Sequence, residues 1–162
     1  MKSVNIHEGL DSALMLLDSR LKSKNPAIEV ICNYDDIPDV ECYAGQLNQV
    51  FMNILTNAID SIETVNLSSD LDHDRSIQIT TTLVNKIQVE IRIKDSGTGI
   101  SDSEKKRLFD PFFTTKPIGK GTGMGLSICY QIVTRHGGYL TCNSTLGEGA
   151  EFVIQIPTLL PT

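Results

Sequence analysis

A chain of 162 residues, 40% of them apolar and 21% charged, is long enough to fold as one domain around a sizeable core. Its apolar runs stay far short of the roughly 20 residues that cross a bilayer, and no leader-like segment opens it, so a soluble, cytoplasmic domain without membrane contact is expected. The net charge of −6 speaks against a nucleic-acid surface, whose footprint would be a basic patch.

From Glu8 to Lys24, Leu10, Leu14, Leu17 and Leu21 recur at helical spacing, which predicts one amphipathic helix ended by Asn25-Pro26. Residues 1–25 thus read as a helical lead-in. Ile28 to Cys32 reads as a strand, followed by an acidic turn over residues 35–39. The four cysteines, Cys32, Cys42, Cys129 and Cys142, form no CxxC pair and are expected as packed thiols in a reducing compartment.

Ala44 to Glu63 is again helical. At 100° per residue, Leu47, Val50, Phe51, Ile54, Leu55, Ala58 and Ile62 share one face. Gln46, Gln49, Asn53, Asn57 and Asp60 fall roughly opposite, a narrower polar row than solubility requires. The polar segment 64–75 reads as a loop. Residues 77–83 and 87–93 alternate with period two and predict an antiparallel pair joined around Asn85. Ser101-x-x-Glu104 is a capping box opening a short helix. Phe109 to Gly123 is a long loop, expected from its glycines and prolines to be mobile. A helix from about Gly123 to His136 is closed by Gly137-Gly138. Residues 139–144 and 151–156 predict a final hairpin across Gly147-Glu148-Gly149. Helices and antiparallel strands in this order predict a two-layer α/β sandwich.

Three stretches carry chemistry. Asp95-x-Gly97-x-Gly99 follows a strand: the carboxylate can accept from an exocyclic amine such as that of adenine, and the glycines let a flat ring approach the backbone. Alone, the same pattern also reads as a tight acidic turn. Gly121-Thr122-Gly123-Met124-Gly125 precedes a helix, where free amides and the helix dipole suit phosphate. Alone, it also reads as a flexible loop meeting a helix start. Asn57 offers an amide oxygen of the kind Mg²⁺ accepts, or a partner for a neighbouring backbone group.

Taken in order and spacing, Asn53-Ile54-Leu55-Thr56-Asn57, Asp95 to Ile100, Phe109 to Lys116 and Gly119 to Leu126 resemble the N, G1, F and G2 boxes of the ATP-binding catalytic domain of sensor histidine kinases. That domain belongs to the superfamily that also holds gyrase B, the Hsp90 chaperones and the MutL mismatch-repair proteins. The resemblance covers residues 42–157. It implies a mixed sheet of about five strands packed against three helices (the Bergerat-type ATP-binding fold), with ATP and Mg²⁺ held beneath a lid over residues 109–123.

Carried over by position, Asn53 and Asn57 match the N-box asparagines, with Asn57 the implied metal ligand. Asp60 matches an acidic position near the ribose and the metal waters. Asp95 matches the adenine-reading carboxylate, with Gly97, Gly99 and Ile100 lining the base. Phe109, Phe112, Phe113 and Thr115 match the F box. Lys116 and Lys120 bring positive charge to the phosphates, and Gly121, Thr122, Gly123, Met124, Gly125 and Leu126 match the phosphate-holding G2 box.

The sequence departs from the family in three places. Ser96 and Thr98 stand where Asn and Pro are frequent, and Ala150 stands where many members have a threonine that supports adenine binding. No phosphoacceptor box is present either. His7 lacks the residues that follow an acceptor histidine, and His73 and His136 read as structural or solvent-facing. The resemblance therefore implies the catalytic module of a longer kinase, acting on a histidine-bearing dimerisation domain and, through it, a response regulator. Hydrolytic members of the superfamily place a glutamate at the first N-box position as general base, whereas Asn53 cannot take a proton. A kinase is thus expected over an ATP-hydrolysing relative or a non-catalytic nucleotide scaffold.

Overall fold

The computed structural model describes residues 1–24, 26–66, 74–111 and 125–159. The first half runs β1 (Lys2–Val4), α1 (Ile6–Leu16), α2 (Asp18–Leu21), β2 (Glu29–Tyr34), β3 (Val40–Cys42) and α3 (Ala44–Asn66). The second runs β4 (Ser76–Val84), β5 (Gln88–Asp95), α4 (Asp102–Lys105), α5 (Gly125–Arg135), β6 (Tyr139–Ser144) and β7 (Ala150–Pro157).

Five strands pair in the order β2-β4-β5-β7-β6, with β2 parallel to β4 and the remaining pairs antiparallel. The predicted β4–β5 hairpin closes through Asn85 and Lys86, at φ 54° and 64°, the left-handed pair that matches the twist of the flanking strands. Its register sets Asp95 opposite Ile77, and the β5–β7 register sets the same residue opposite Ala150. The carboxylate thus stands at the end of the central strand, between two neighbours.

One face of this sheet is apolar. Ile77, Ile79, Ile91, Ile93, Phe152, Ile154 and Ile156 join a single core with the predicted face of α3, every residue of which is 2% exposed or less. The α3 helix packs against α1, α5 and β5, and α5 against β6 and β7. The opposite face is polar, where Arg92 donates to Glu90 at 2.6 Å and to Glu151 at 2.9 Å. The result is the two-layer sandwich of a mixed sheet and three long helices that the sequence predicts.

Four details differ from expectation. The lead-in is two helices: Asn5 caps α1 by accepting from the His7 backbone N–H at 2.9 Å, and the chain leaves helical geometry at Leu17 (φ −97°, ψ 1°) before α2. The kink still lets Leu17 and Leu21 reach the core, which a period count alone does not reveal. The strands β1 and β3 pair antiparallel, but three residues each are too short to show periodicity. Ile59 is fully buried although it lies outside the predicted apolar face, because α3 has packing partners on several sides. Cys32 is exposed on the edge strand β2 and not packed among apolar neighbours, while Cys42 and Cys129 are buried as expected.

The end of α5 follows the sequence closely. Gly138 N–H donates to Val133 O at 3.0 Å and Gly137 N–H to Thr134 O at 2.9 Å, with Gly137 at φ 76°, the paired bonds of a glycine-closed helix end. Among the described residues, no helix is long and apolar enough to cross a membrane.

Candidate functional site

The polar row of α3 faces the start of α5. Asn53 Nδ2 donates to Gly125 O at 3.3 Å, so the first residue of the N segment touches the last glycine of the G2 segment. A Cβ on Gly125 would lie 3.8 Å from that same Nδ2, ordinary contact, so the two helices meet closely here. Asn57, one turn further on the same face, is half-buried, and its side chain makes no hydrogen bond to another described residue.

Asp60 is engaged differently. The Arg20 guanidinium from α2 forms an ion pair with Asp60 and donates to Glu63 at 3.0 Å. Burial pulls the Arg20 pKa down, but the hydrogen bonds and charges of Asp60 and Glu63 outweigh it and leave it raised. Arg20 thus straps the lead-in to α3 one turn from Asn57. Nothing in the sequence pattern singles out this arginine, because the pairing spans 40 residues.

The end of β5 forms the other wall. Asp95 is 4% exposed, and its Oδ1 accepts from Gly97 N–H at 2.8 Å. Ala150, at the position where a threonine would be familiar, donates its backbone N–H to the same carboxylate. Burial nevertheless dominates and raises the Asp95 pKa from 3.8 to about 6. Cys142 feels the Asp95 charge, and burial with that charge pushes its thiol up to about 12.

The turn from Gly97 to Ile100 is gripped from both sides. Ser61 Oγ, on α3, accepts from Thr98 N–H at 3.0 Å. Ser144 Oγ, on β6, accepts from Ile100 N–H at 2.7 Å and donates to Gly149 O at 2.8 Å. Gly147 N–H donates to Thr98 O at 2.6 Å. Both turn glycines are required by close approach. A Cβ on Gly97 would stand 2.6 Å from Ser61 Cβ and 2.8 Å from its carbonyl carbon, and Gly99 combines φ 75° with contact against the Thr145 backbone. Ile100 and Leu126 are half-buried and pack against the core.

Ser61 is a residue the sequence reading passed over although a signal was present, since Asn53, Asn57 and Ser61 form an i, i+4, i+8 row on one helix face. Ser144 carries no such signal, because a serine in a half-exposed strand looks the same whether or not it holds a turn.

The structure brings together Asn53, Gly125 and Leu126 at one end, and Asp95, Gly97, Gly99 and Ile100 at the other, with Asn57 on the helix that links them. Phe112, Thr115, Lys116, Lys120, Gly121, Thr122, Gly123 and Met124, with Phe113 and His73, lie outside the described residues. So does most of the expected lid over 109–123. Of the F segment, Phe109 is described: it stacks on Tyr130 of α5 with ring centroids 5.3 Å apart.

Neither described histidine stands free. His7 stacks on Tyr34 at 4.2 Å, with Nε2 2.7 Å from Thr81 Oγ1. His136 is 1% exposed; its Nε2 accepts from Tyr43 N–H at 3.1 Å, so Nδ1 carries the proton and donates to Ile132 O at 2.8 Å.

A glycine turn behind a buried carboxylate, facing a polar helix row across a two-layer sandwich, defines a nucleotide-binding α/β domain. The sequence profile of the histidine kinase-, DNA gyrase B- and HSP90-like ATPases matches residues 43–160, and the chain belongs to that family. It is 38% identical over 123 residues to Sporulation kinase E of Bacillus subtilis, covering 76% of this chain and 15% of that protein. It is 37% identical over 160 residues to the two-component sensor PprA of Pseudomonas aeruginosa, covering 96% of this chain and 16% of that protein. The catalytic domain of the histidine kinase ThkA superposes with a TM-score of 0.79 at 28% identity, over 98% of this chain and 97% of that one. The chain therefore spans about a sixth of the first two proteins and nearly all of the third. It corresponds to the ATP-binding catalytic domain of sensor histidine kinases.

The raised pKa of Asp95 predicts a pH dependence. In the free protein the protonated carboxyl is favoured, so its contribution to stability is fully present below pH 3.8 and is lost as pH rises through about 6. An amine donor needs the carboxylate, so nucleotide binding should change in the opposite sense and strengthen as pH rises from 5 to 7 across that about-6 midpoint. Calorimetric titration of ATP across this range checks it. The rise should be absent in Asp95→Asn, which separates it from titration of the nucleotide itself.

Proposed function

We propose that this chain is the phosphotransfer module of a sensor histidine kinase. It binds ATP with Mg²⁺ and passes the γ-phosphate to a histidine on a separate dimerisation domain, which in turn charges a response regulator. Its place is the cytoplasm, and it touches neither membrane nor nucleic acid.

The observation that carries this reading is Asn53. Its side chain is a neutral amide that donates to Gly125 O, at the helix position from which a hydrolytic relative would draw its general base. Such a group orients and does not deprotonate. A water nucleophile gains nothing from it, whereas a neutral imidazole already presents a lone pair near pH 7. Catalysis then rests on holding nucleophile and phosphate in line and on balancing charge.

Each remaining residue has a role in that scheme. Asp95 accepts from the adenine amine, and Gly97, Gly99 and Ile100 form the surface under the ring. The Asn57 oxygen suits Mg²⁺, which prefers oxygen donors and keeps several waters, so a single protein ligand is sufficient. When bound, Mg²⁺ neutralises phosphate charge. Asp60, paired with Arg20, stands at the acidic position that orients waters or the ribose. Lys116 and Lys120 supply charge to the phosphates, and Phe112, Thr115, Gly121, Thr122, Gly123 and Met124 complete the phosphate side.

The chain alone should not label itself. His7 is stacked and bonded to Thr81, and His136 is buried with both ring nitrogens engaged, so neither is presented to a phosphate. After incubation with γ-labelled ATP, the chain should stay unlabelled and release little free phosphate. Label on His7, His73 or His136 would refute transfer to a separate domain, and rapid phosphate release would assign the protein to the hydrolytic class.

A further inference from the structure

The turn Gly97-Thr98-Gly99-Ile100 lies between sheet and helix and belongs to no strand ladder. Three of its amide hydrogens are taken by side chains: Gly97 N–H by Asp95 Oδ1, Thr98 N–H by Ser61 Oγ and Ile100 N–H by Ser144 Oγ. We propose that Ser61 and Ser144 are positioning residues for adenine recognition, a clamp of two hydroxyls that fixes the glycine turn so that Asp95 meets the base at the right distance and angle. The proposal rests on the assignment of Asp95 as the adenine-reading group.

The clamp reaches the turn from opposite sides and through different elements. Ser61 comes from α3, on the row that carries Asn53 and Asn57, and its Oγ also lies 3.3 Å from Thr98 Oγ1. The helix backbone at Ser61 is so close to Gly97 that no side chain fits between them. Ser144 comes from β6 and ties Ile100 to Gly149 through one hydroxyl that both accepts and donates. Asp95 itself is held by Gly97 within the turn and by Ala150 in the next strand. Displacing the turn therefore moves one of the two donors that aim the carboxylate. A site that must tell an amine from a carbonyl on a flat ring depends on this aim, because a misplaced acceptor loses most of a hydrogen bond's angular preference. The serines touch the backbone and act on the base through it.

Removing one hydroxyl should lower ATP affinity about 3- to 10-fold, the value of one hydrogen bond. The discrimination of ATP over GTP should fall with it. Ser61→Ala, Ser144→Ala and Asp95→Asn, singly and paired, would be titrated with Mg-ATP and Mg-GTP by calorimetry on the full chain, with thermal midpoints recorded for each. Ser144→Thr keeps the hydroxyl and should restore affinity and discrimination.

If the serines act through Asp95, their penalties should largely vanish in the Asp95→Asn background, the signature of coupled residues. A merely structural role would lower the thermal midpoint and leave the ATP-to-GTP ratio unmoved, which would overturn the proposal. Full penalties persisting beside Asp95→Asn would overturn it as well. Unchanged ATP binding in Asp95→Asn alone would instead remove the adenine assignment on which the proposal rests, so the two failures are distinguishable.

Discussion

Asp95→Asn should weaken ATP binding by about 10- to 100-fold, the worth of a hydrogen bond to a charged acceptor in a buried site. The substitution keeps the size of the side chain and one carbonyl oxygen, which can still accept from Gly97 N–H. It replaces the second acceptor with an NH₂ group, so a donor meets the adenine amine where an acceptor stood. The fold should tolerate the change, because the mutant no longer buries a charge whose desolvation raises the native pKa to about 6. The expected result is a large loss of ATP affinity, a narrowed preference over GTP and a thermal midpoint within a few degrees of wild type. Calorimetry with both nucleotides decides it, and unchanged ATP affinity would remove Asp95 from the site.

The second large effect is expected at Asn57. Asn57→Ala deletes an oxygen on the half-buried polar row of α3, opposite the face that packs into the core, so circular dichroism should report an intact fold. Metal-assisted charge neutralisation contributes several kcal/mol to phosphoryl transfer, so phosphotransfer should fall by about 100-fold or more. Nucleotide affinity measured with Mg²⁺ should drop towards the value measured with chelator, while affinity without metal stays close to wild type. Gross unfolding of the variant would make Asn57 a structural residue, and undiminished Mg²⁺ dependence would reassign the ligand.

Much of the fold was legible because its elements are long and strongly patterned. The α3 face from Leu47 to Ile62 and the alternation in β4 and β5 follow directly from periods of 3.6 and 2. Local punctuation was equally readable: Ser101 Oγ accepts from Glu104 N–H at 3.3 Å as the capping box requires, and Gly137-Gly138 closes α5. What escaped was set by long-range contact. The break at Leu17 accompanies burial of Leu17 and Leu21 in the core, and the β1–β3 pair joins residues about 40 apart through strands of three. In the site, residue types with special chemistry stood out, namely Asn53, Asn57, Asp95 and the glycines. The side chains that hold them did not, since Arg20, Ser61 and Ser144 act through partners 37 to 44 residues away.

In the proposed function Asn53 marks the distinction between transferring a phosphate and hydrolysing ATP, and one measurement tests that proposal most directly. The chain would be mixed with γ-labelled ATP, Mg²⁺ and a histidine-bearing dimerisation domain of a sensor histidine kinase, and label would be followed on both polypeptides and in free phosphate. The expected result is acid-labile phosphohistidine on the dimerisation domain, none on this chain, and loss of the signal with Asn57→Ala. Free phosphate accumulating at the same rate with or without the acceptor domain, and no phosphohistidine on it, would contradict the account.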